Sequence, residues 1–300
     1  MKQMEQDLIS KYMLSDKKHK EIFEVIKNML FSNFEPVEKP TAIIVGAQPG
    51  SGKGSLIGYS KNVFFNDNIV IITTDDYKPF HPKASEIAIK HPTSYCSIVE
   101  KDSAKWTNEI LNYAIENKYN FIFEVTLRNE RILERIKELK EKNYNVIVRG
   151  LAVSYIESLL SAYERYEKQV ETRSWGRFFN PLSYNETYKN IPNVIEKIEL
   201  DHSYDVLEIY KRGTDIKSPI LIYGNYSKQY KKEYSQYSEL PQFEYRTAKE
   251  AIMKCRNDDL NNIKNVLERY QIIKDSFERR VTTQEEKLGL QQLEEIVNNY

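Results

Sequence analysis

Only two cysteines, Cys96 and Cys255, occur in 300 residues. They stand far apart and outside any C-x-x-C, so neither a disulfide framework nor a structural zinc site is indicated. The four histidines (His19, His81, His91, His202) show no ligand spacing. Charge of one sign is also lacking. The 44 Lys+Arg and 44 Asp+Glu cancel, and a pI of about 6.9 leaves no general nucleic-acid footprint. No apolar run approaches membrane-spanning length. The opening "MKQMEQDLISKYMLSDKKHK" mixes charges and lacks the apolar centre of a signal peptide. These absences exclude nucleic-acid and membrane partners from the reading and point to the cytoplasm.

What is present suffices for a sizeable core: 40% hydrophobic residues, 12% of the chain aromatic. Residues 1 to about 33 read as helix, with Ser15-Asp16 offering caps. Short apolar strands follow at 41–46, 69–73, 121–123 and 146–153, then at 206–210 and 220–223. Helical patterns separate them: 53–60, one ending near Asn117, one carrying Ile132, Ile136 and Leu139, and a long one opened by the capping box Ser154-x-x-Glu157. Ser183-x-x-Glu186 reads as a cap for the next helix, and Thr283-x-x-Glu286 as one near the end. Strands alternating with helices argue for an α/β fold with a parallel sheet covered on both faces. The polar, Tyr-rich "NYSKQYKKEYSQYSELPQ" marks a change of composition. Residues 1–224, including N-terminal helices 1–34, therefore read as one α/β domain, and 225–300 as a helical extension.

Ligands in such sheets bind outside the carboxyl ends of the strands. Here those ends carry three polar segments. The first is "GAQPGSGKGS", residues 46–55. Its glycines suit a backbone that wraps phosphate, offering loop and helix N-terminal amides to the anion (Gln48, Pro49, Gly50, Ser51, Gly52, Lys53, Gly54, Ser55). Lys53 is placed to reach the β- and γ-phosphates of a nucleotide. Two letters depart from G-x-x-x-x-G-K-[ST]: Ala47 replaces Gly, and Gly54 replaces the hydroxyl residue that ordinarily binds magnesium. Ser55 could substitute by a small shift, or water could fill the vacancy.

The second segment is "TTDDYKPFHP", where Asp75 and Asp76 either bind or activate a ligand or only cap the following turn. His81, beside Pro82, reads as a loop-shaping residue. The third is "FIFEVTLRN". If the extended chain continues, Glu124, Thr126 and Arg128 share one face. They suit a polar, hydroxyl-rich substrate, or else form a salt-bridged strand end. Farther on, Arg165, Arg173 and Arg177 supply cations of the kind phosphoryl transfer needs, although surface arginines are usually solvated.

In this order, "QPGSGK" (48–53), "DDYKPFHP" (75–82), "FEVTLR" (123–128), "ERYE" (164–167) and "KNIP" (189–192) resemble the zeta toxin family over roughly residues 10–210. The resemblance implies a P-loop kinase fold. It also implies a kinase that phosphorylates the 3′-hydroxyl of the sugar of UDP-N-acetylglucosamine, using ATP or GTP and magnesium, and so blocks cell-wall precursor synthesis. By position, Lys53 matches the phosphate-loop lysine, and Asp75, six residues before His81, the aspartate that activates the hydroxyl. Glu124, Thr126 and Arg128 match substrate-binding positions. Arg165 and Arg177 match the two catalytic arginines; Arg177 lies twelve residues before Lys189, a register Arg173 lacks. A small helical epsilon-type antitoxin is the implied partner. Another small-molecule P-loop kinase, such as an antibiotic-modifying one, stays open, as does a nucleotide-binding interaction module whose catalysis Gly54 has reduced.

Overall fold

The computed structural model describes residues 2–64, 67–173, 175–178, 181–213, 218–234, 239–258 and 263–299. Helices α1 (Lys2–Tyr12) and α2 (Asp16–Phe31) precede β1 (Thr41–Gly46) and α3 (Lys53–Lys61). Next come β2 (Val70–Ile72), α4 (Thr74–Tyr77), α5 (Ala84–Lys90), α6 (Tyr95–Glu116) and β3 (Phe121–Val125). The chain continues through α7 (Arg131–Glu141), β4 (Asn145–Leu151), α8 (Tyr155–Arg173) and α9 (Pro181–Asp201). After β5 (Val206–Lys211) and β6 (Ile220–Tyr226) follow α10 (Lys228–Tyr234), α11 (Ala248–Asp258), α12 (Ile263–Glu278) and α13 (Gln284–Asn298).

The N-terminal helices are two, α1 and α2. Ser15 Oγ accepts the Lys18 N–H at 3.4 Å, so the cap restarts a helix after a break at 13–15. The cap expected at Ser183 is displaced: α9 already begins at Pro181, a favoured first helical residue, and the Ser183 side chain lies outside the described residues. Residues 235–238 of the Tyr-rich stretch also lie outside them; its start completes β6 and forms α10.

The sheet order is β2-β3-β1-β4-β5-β6, with the first five strands parallel and β6 antiparallel to β5. The parallel sheet expected from the sequence is thus present, with β6 as an antiparallel edge strand. Eight residues, 212–219, separate β5 from β6, and a parallel return needs a dozen or more. β1 is central, and both its faces are covered. Ala42 and Ile44 enter one apolar cluster with Trp106, Phe121 and Val148, while Ile43 and Val45 enter another with Leu56 and Ile147. Fully burying such an aliphatic side chain contributes roughly 1.5–3 kcal/mol. That is why β1 reads as an unbroken apolar run.

The C-terminal helices are not detached. Ala248, Ala251, Ile252 and Cys255 of α11 belong to the main core. α12 and α13 share a third core with α8, through Leu160, Tyr163, Ile273, Phe277 and Leu293. No helix among the described residues is long and apolar enough to cross a membrane.

Candidate active site

The carboxyl ends of β1, β2 and β3 bring the three polar segments to one edge of the sheet. Beyond β1 the chain turns through Gly50 (φ 73°) and Gly52 (φ 97°), which is the N-cap of α3. Both lie in the left-handed region that favours glycine. Gly50 has a second reason to be glycine. A Cβ there would run into Ser158 O and lie 2.9 Å from Ala162 N, so the loop rests directly on the backbone of α8. At Gly54 a Cβ would meet nothing within 4 Å.

Lys53 is almost enclosed. Its Nζ donates to Ala47 O (3.0 Å) and Gln48 O (3.2 Å) and lies 3.5 Å from Glu124 Oε1. Burial holds its pKa below the ordinary lysine value, against the opposing pull of Glu124. The Gln48 side chain faces away from the cradle. Its Nε2 donates to Val153 O (2.9 Å) and Ser158 Oγ (3.2 Å), and its Oε1 accepts from Arg256 Nη2 of α11 (3.3 Å). The outer carbonyls of the loop are held too: Pro49 O accepts from Tyr184 OH (3.2 Å), and Ser51 O accepts from Arg212 Nε (3.0 Å).

Asp75 sits in α4, whose N-cap position is Thr73, so neither aspartate occupies the cap. Its Oδ1 lies 2.9 Å from Lys78 Nζ, and its Oδ2 pairs with Arg177 Nη1. Burial alone would push this carboxyl up, but Arg177, Lys78 and Arg165 outweigh it and hold the pKa below the usual value. Asp76 goes the other way, raised by burial and by the neighbouring Asp75. Of the two, Asp75 is the one kept ionised among cations.

β3 stops at Val125, and Leu127 adopts φ 52°. The extended alternation expected for 124, 126 and 128 is therefore broken, because Leu127 turns its side chain down onto Gly46. Glu124, Thr126 and Arg128 nevertheless border one cavity of about 710 Å³, shared with Lys53, Asp75, Arg165 and Arg177. Arg165 stands out there. Burial, then the adjacent Arg177, lowers its pKa, and its Nε is buried with no hydrogen-bond partner among the described residues. Ser55 lies elsewhere, bordering a separate cavity of about 240 Å³ with Gly52, Leu56 and Arg212. Arg173 stacks over Trp175, 5.4 Å from the ring centroid. His81 accepts the Lys83 N–H on Nδ1 (3.2 Å), so Nε2 carries the proton and donates it to Tyr12 O (3.0 Å); its role is to shape the loop.

Sequence reasoning missed Lys78, Arg212 and Arg256. Lys78 was detectable, since i and i+3 on one helical turn are neighbours. Arg212 and Arg256 reach the loop from positions 160 or more residues away, and no local pattern marks them.

An anionic ligand is what this geometry suits: a backbone cradle, a buried lysine and the guanidinium groups of Arg165 and Arg177 border a single cavity, with Arg128 and the carboxylates of Asp75 and Glu124 on the same wall. A model of the zeta toxin family matches residues 27–225. Toxin zeta of Enterococcus hirae is 28% identical over 213 residues, covering 65% of this chain and 71% of that protein. A solved structure from the PezAT chromosomal toxin–antitoxin system of Streptococcus pneumoniae superposes with a TM-score of 0.67 at 19% identity, over 89% of this chain and 98% of that one. The AvrRxo1-ORF1:-ORF2 structure with ATP superposes at 0.50 and 13% identity, over 75% of this chain and 74% of that one.

Proposed function

The chain belongs to the zeta toxin family, and from that membership we propose that it is the toxin of a toxin–antitoxin system. In this reading it transfers the γ-phosphoryl group of ATP, or GTP, to the 3′-hydroxyl of the sugar of UDP-N-acetylglucosamine. It acts in the cytoplasm, blocks cell-wall precursor synthesis, and is held in check by a small helical epsilon-type antitoxin. One observation carries the proposal: Lys53, Asp75, Arg165 and Arg177 converge on one cavity, with a buried Arg165 donor left unpartnered.

Lys53 exchanges the carbonyls of Ala47 and Gln48 for the donor phosphates. Arg165 and Arg177 face the transferred group, whose transition state spreads negative charge over its equatorial oxygens. Asp75, ionised at neutral pH, accepts the proton of the attacking sugar hydroxyl once Arg177 turns to the phosphoryl group. Glu124, Thr126 and Arg128 offer an acid, a hydroxyl and a guanidinium to an acceptor rich in hydroxyls and phosphate. The cavity lies within the ordinary range for such ligands.

Magnesium fits these residues only as an ion carried in by the nucleotide. Among the described residues no group of three or more His, Cys, Asp or Glu could hold a metal, and Gly54 supplies no hydroxyl. Glu124 would supply a carboxylate to an ion that takes one or two carboxylates plus substrate phosphates, which leaves Asp75 free for the proton. Such an ion, when bound, would offset negative charge on the donor phosphates.

Phosphorus NMR and mass spectrometry of the protein with magnesium, ATP and UDP-N-acetylglucosamine test the proposal. The expected product is the nucleotide sugar bearing one additional phosphate. ATP binding with no such product, but turnover of a different small acceptor, would make this another P-loop kinase.

A specific observation, the missing hydroxyl at residue 54, favours a second reading as a nucleotide-binding module with reduced catalysis. Gly54→Ser separates the two, because the open space around Gly54 accepts the side chain. For a kinase, the serine should lower the magnesium concentration giving half-maximal turnover several-fold. For a module silenced by the missing hydroxyl, the wild type binds nucleotide without turnover and the serine restores it; no gain with the serine would mean that the hydroxyl is not what limits activity.

A further inference from the structure

One turn of α8 is gripped by the α12–α13 hairpin through four of its five side chains. Tyr163 OH donates to Gly289 O of α13 at 2.7 Å. Glu164 takes Arg269 of α12 in a two-pronged ion pair of 2.6 and 2.8 Å. Tyr166 OH donates to Glu286 Oε1 of α13 at 2.5 Å. Glu167 accepts from Arg280 at 2.6 and 3.2 Å and from Ser276 Oγ at 2.8 Å. With 3.6 residues per turn, positions 163, 164, 166 and 167 occupy one side of the helix and 165 the opposite side. Arg165 is the member of this turn that borders the cavity.

Glu286 has no freedom to relax this grip. It is 2% exposed, its Oε1 also pairs with Arg280 Nη2 at 2.7 Å, and its Oε2 accepts the Thr283 N–H at 2.6 Å. One carboxylate thus ties the start of α13 to α8 in a capping box.

The same hairpin reaches the second arginine. Gly176 packs so closely on Tyr166 that a Cβ there would lie 2.7 Å from Tyr166 Cδ2. The Phe178 ring meets the Tyr166 ring edge to face at 5.2 Å. On its far side Phe178 abuts α13, where a Cβ at Gly289 would stand 3.0 Å from Phe178 Cζ and 3.0 Å from Tyr163 OH. Arg177 is therefore suspended between two residues that lean on Tyr166 and α13, while its own N–H donates to Gln169 Oε1 at 2.8 Å.

We propose that the α12–α13 hairpin is the positioning element for Arg165 and Arg177, with Tyr166, Glu286 and Gly289 as its positioning residues. The inference rests on the assignment of those arginines to the transferred phosphoryl group. It gives residues 263–299 a part in turnover as well as in stability. A hairpin that only stabilised the fold would not need to meet Tyr166 and Phe178 at the one place where both arginine-bearing segments cross.

The test combines kinetics with a signal that needs no turnover. Of the two tryptophans, Trp175 lies two residues before Arg177, and Trp106 is buried in the main core. Full-length protein labelled with 5-fluorotryptophan therefore reports on the loop and the core separately. Gly289→Val pushes Phe178, whereas Tyr166→Phe removes the hydroxyl's tie to Glu286 and Glu286→Gln removes the charge that faces Arg280, each with little change of volume. In all three, the Trp175 fluorine resonance should move while that of Trp106 stays.

The turnover number should fall roughly tenfold to a hundredfold, the cost of displacing a catalytic group by about 1 Å. KM for ATP should stay within about twofold, because the phosphate loop is untouched. Gly289→Ala, with a single methyl, should recover most of the loss. Should Gly289→Val fail to fold, the two milder variants carry the test. An unchanged turnover number in a folded variant whose Trp175 signal has moved would overturn the proposal, and so would an unmoved signal in all three. Wild-type protein that transfers no phosphoryl group to any acceptor would sink the functional reading instead; the fluorine arm then still decides whether the hairpin holds the arginine loop.

Discussion

If the chain is the kinase proposed above, Asp75→Asn should lower the rate of phosphoryl transfer by about 10²–10⁴-fold, the usual contribution of a positioned general base. The amide keeps the shape of the carboxylate but has a single acceptor oxygen, so it can accept from Lys78 or Arg177 and not from both; the phosphate loop is untouched, so ATP binding should change little and the fold should persist. Mass spectrometry of the product and calorimetric ATP binding, run on one preparation, separate the two effects.

The pH profile makes this expectation sharper. Asp75 in the folded protein is held below its ordinary pKa by Arg177, Lys78 and Arg165 against the cost of burial. A base with a depressed pKa remains ionised as pH falls and is lost only below that value. The acid limb of kcat/KM, which reports the free enzyme, should therefore lie below the ordinary aspartate value of about 3.9. The same sign governs stability: the Asp75 ion pairs contribute fully above the unfolded-state pKa and are lost as pH drops through the folded one. Arg177→Met removes the strongest of the depressing charges and should shift the acid limb upward. An acid limb near neutrality in the wild type would assign the proton to some group other than Asp75.

Gly50→Ala and Gly54→Ala, four residues apart in one loop, should act in opposite directions. At residue 50 the methyl meets both a left-handed backbone and the α8 main chain at Ser158 and Ala162. Strain at such a backbone position costs of order 1–3 kcal/mol, and overpacking against an immobile neighbour about 1–3 kcal/mol more. A loss of about 2–6 kcal/mol in thermal or denaturant unfolding is expected, together with loss of ATP affinity as the loop lifts from α8. At residue 54 the methyl enters open space in the first turn of α3, and replacing glycine there should stabilise by about 0.4–1 kcal/mol. Equal effects from the two substitutions would mean that Gly50 serves phosphate alone, with no role in docking the loop on α8.

The contrast between these glycines also marks how far the primary structure can be read. A strand of unbroken apolar residues, a glycine loop and a helix are consecutive and depend on local backbone preference and burial period, so β1, the loop and α3 were legible. The placement of Asp75 and Glu124 was legible for the same reason: Asp75 follows the apolar β2 within a few residues and Glu124 lies near the end of β3, and strand ends in such sheets face the ligand. Other features depended on contacts between distant segments. The break of β3 at Leu127 follows from a gap above Gly46, and the sense of β6 from a connection too short to cross over. Gln48 turns inward because α8 and α11 supply its partners.

The arginines show the division most clearly. Arg165 and Arg177 could be named from the resemblance to the zeta toxin family, but nothing local distinguished them from solvated surface cations. Only the packing of α12 and α13 on α8 decided that 165 turns to the cavity and that 177 hangs beside Asp75. Residue type and short-range period set which groups the chain carries and which elements hold them. Direction, desolvation and pairing arise largely from side chains that meet from distant parts of the chain, and those contacts exist only in the folded molecule.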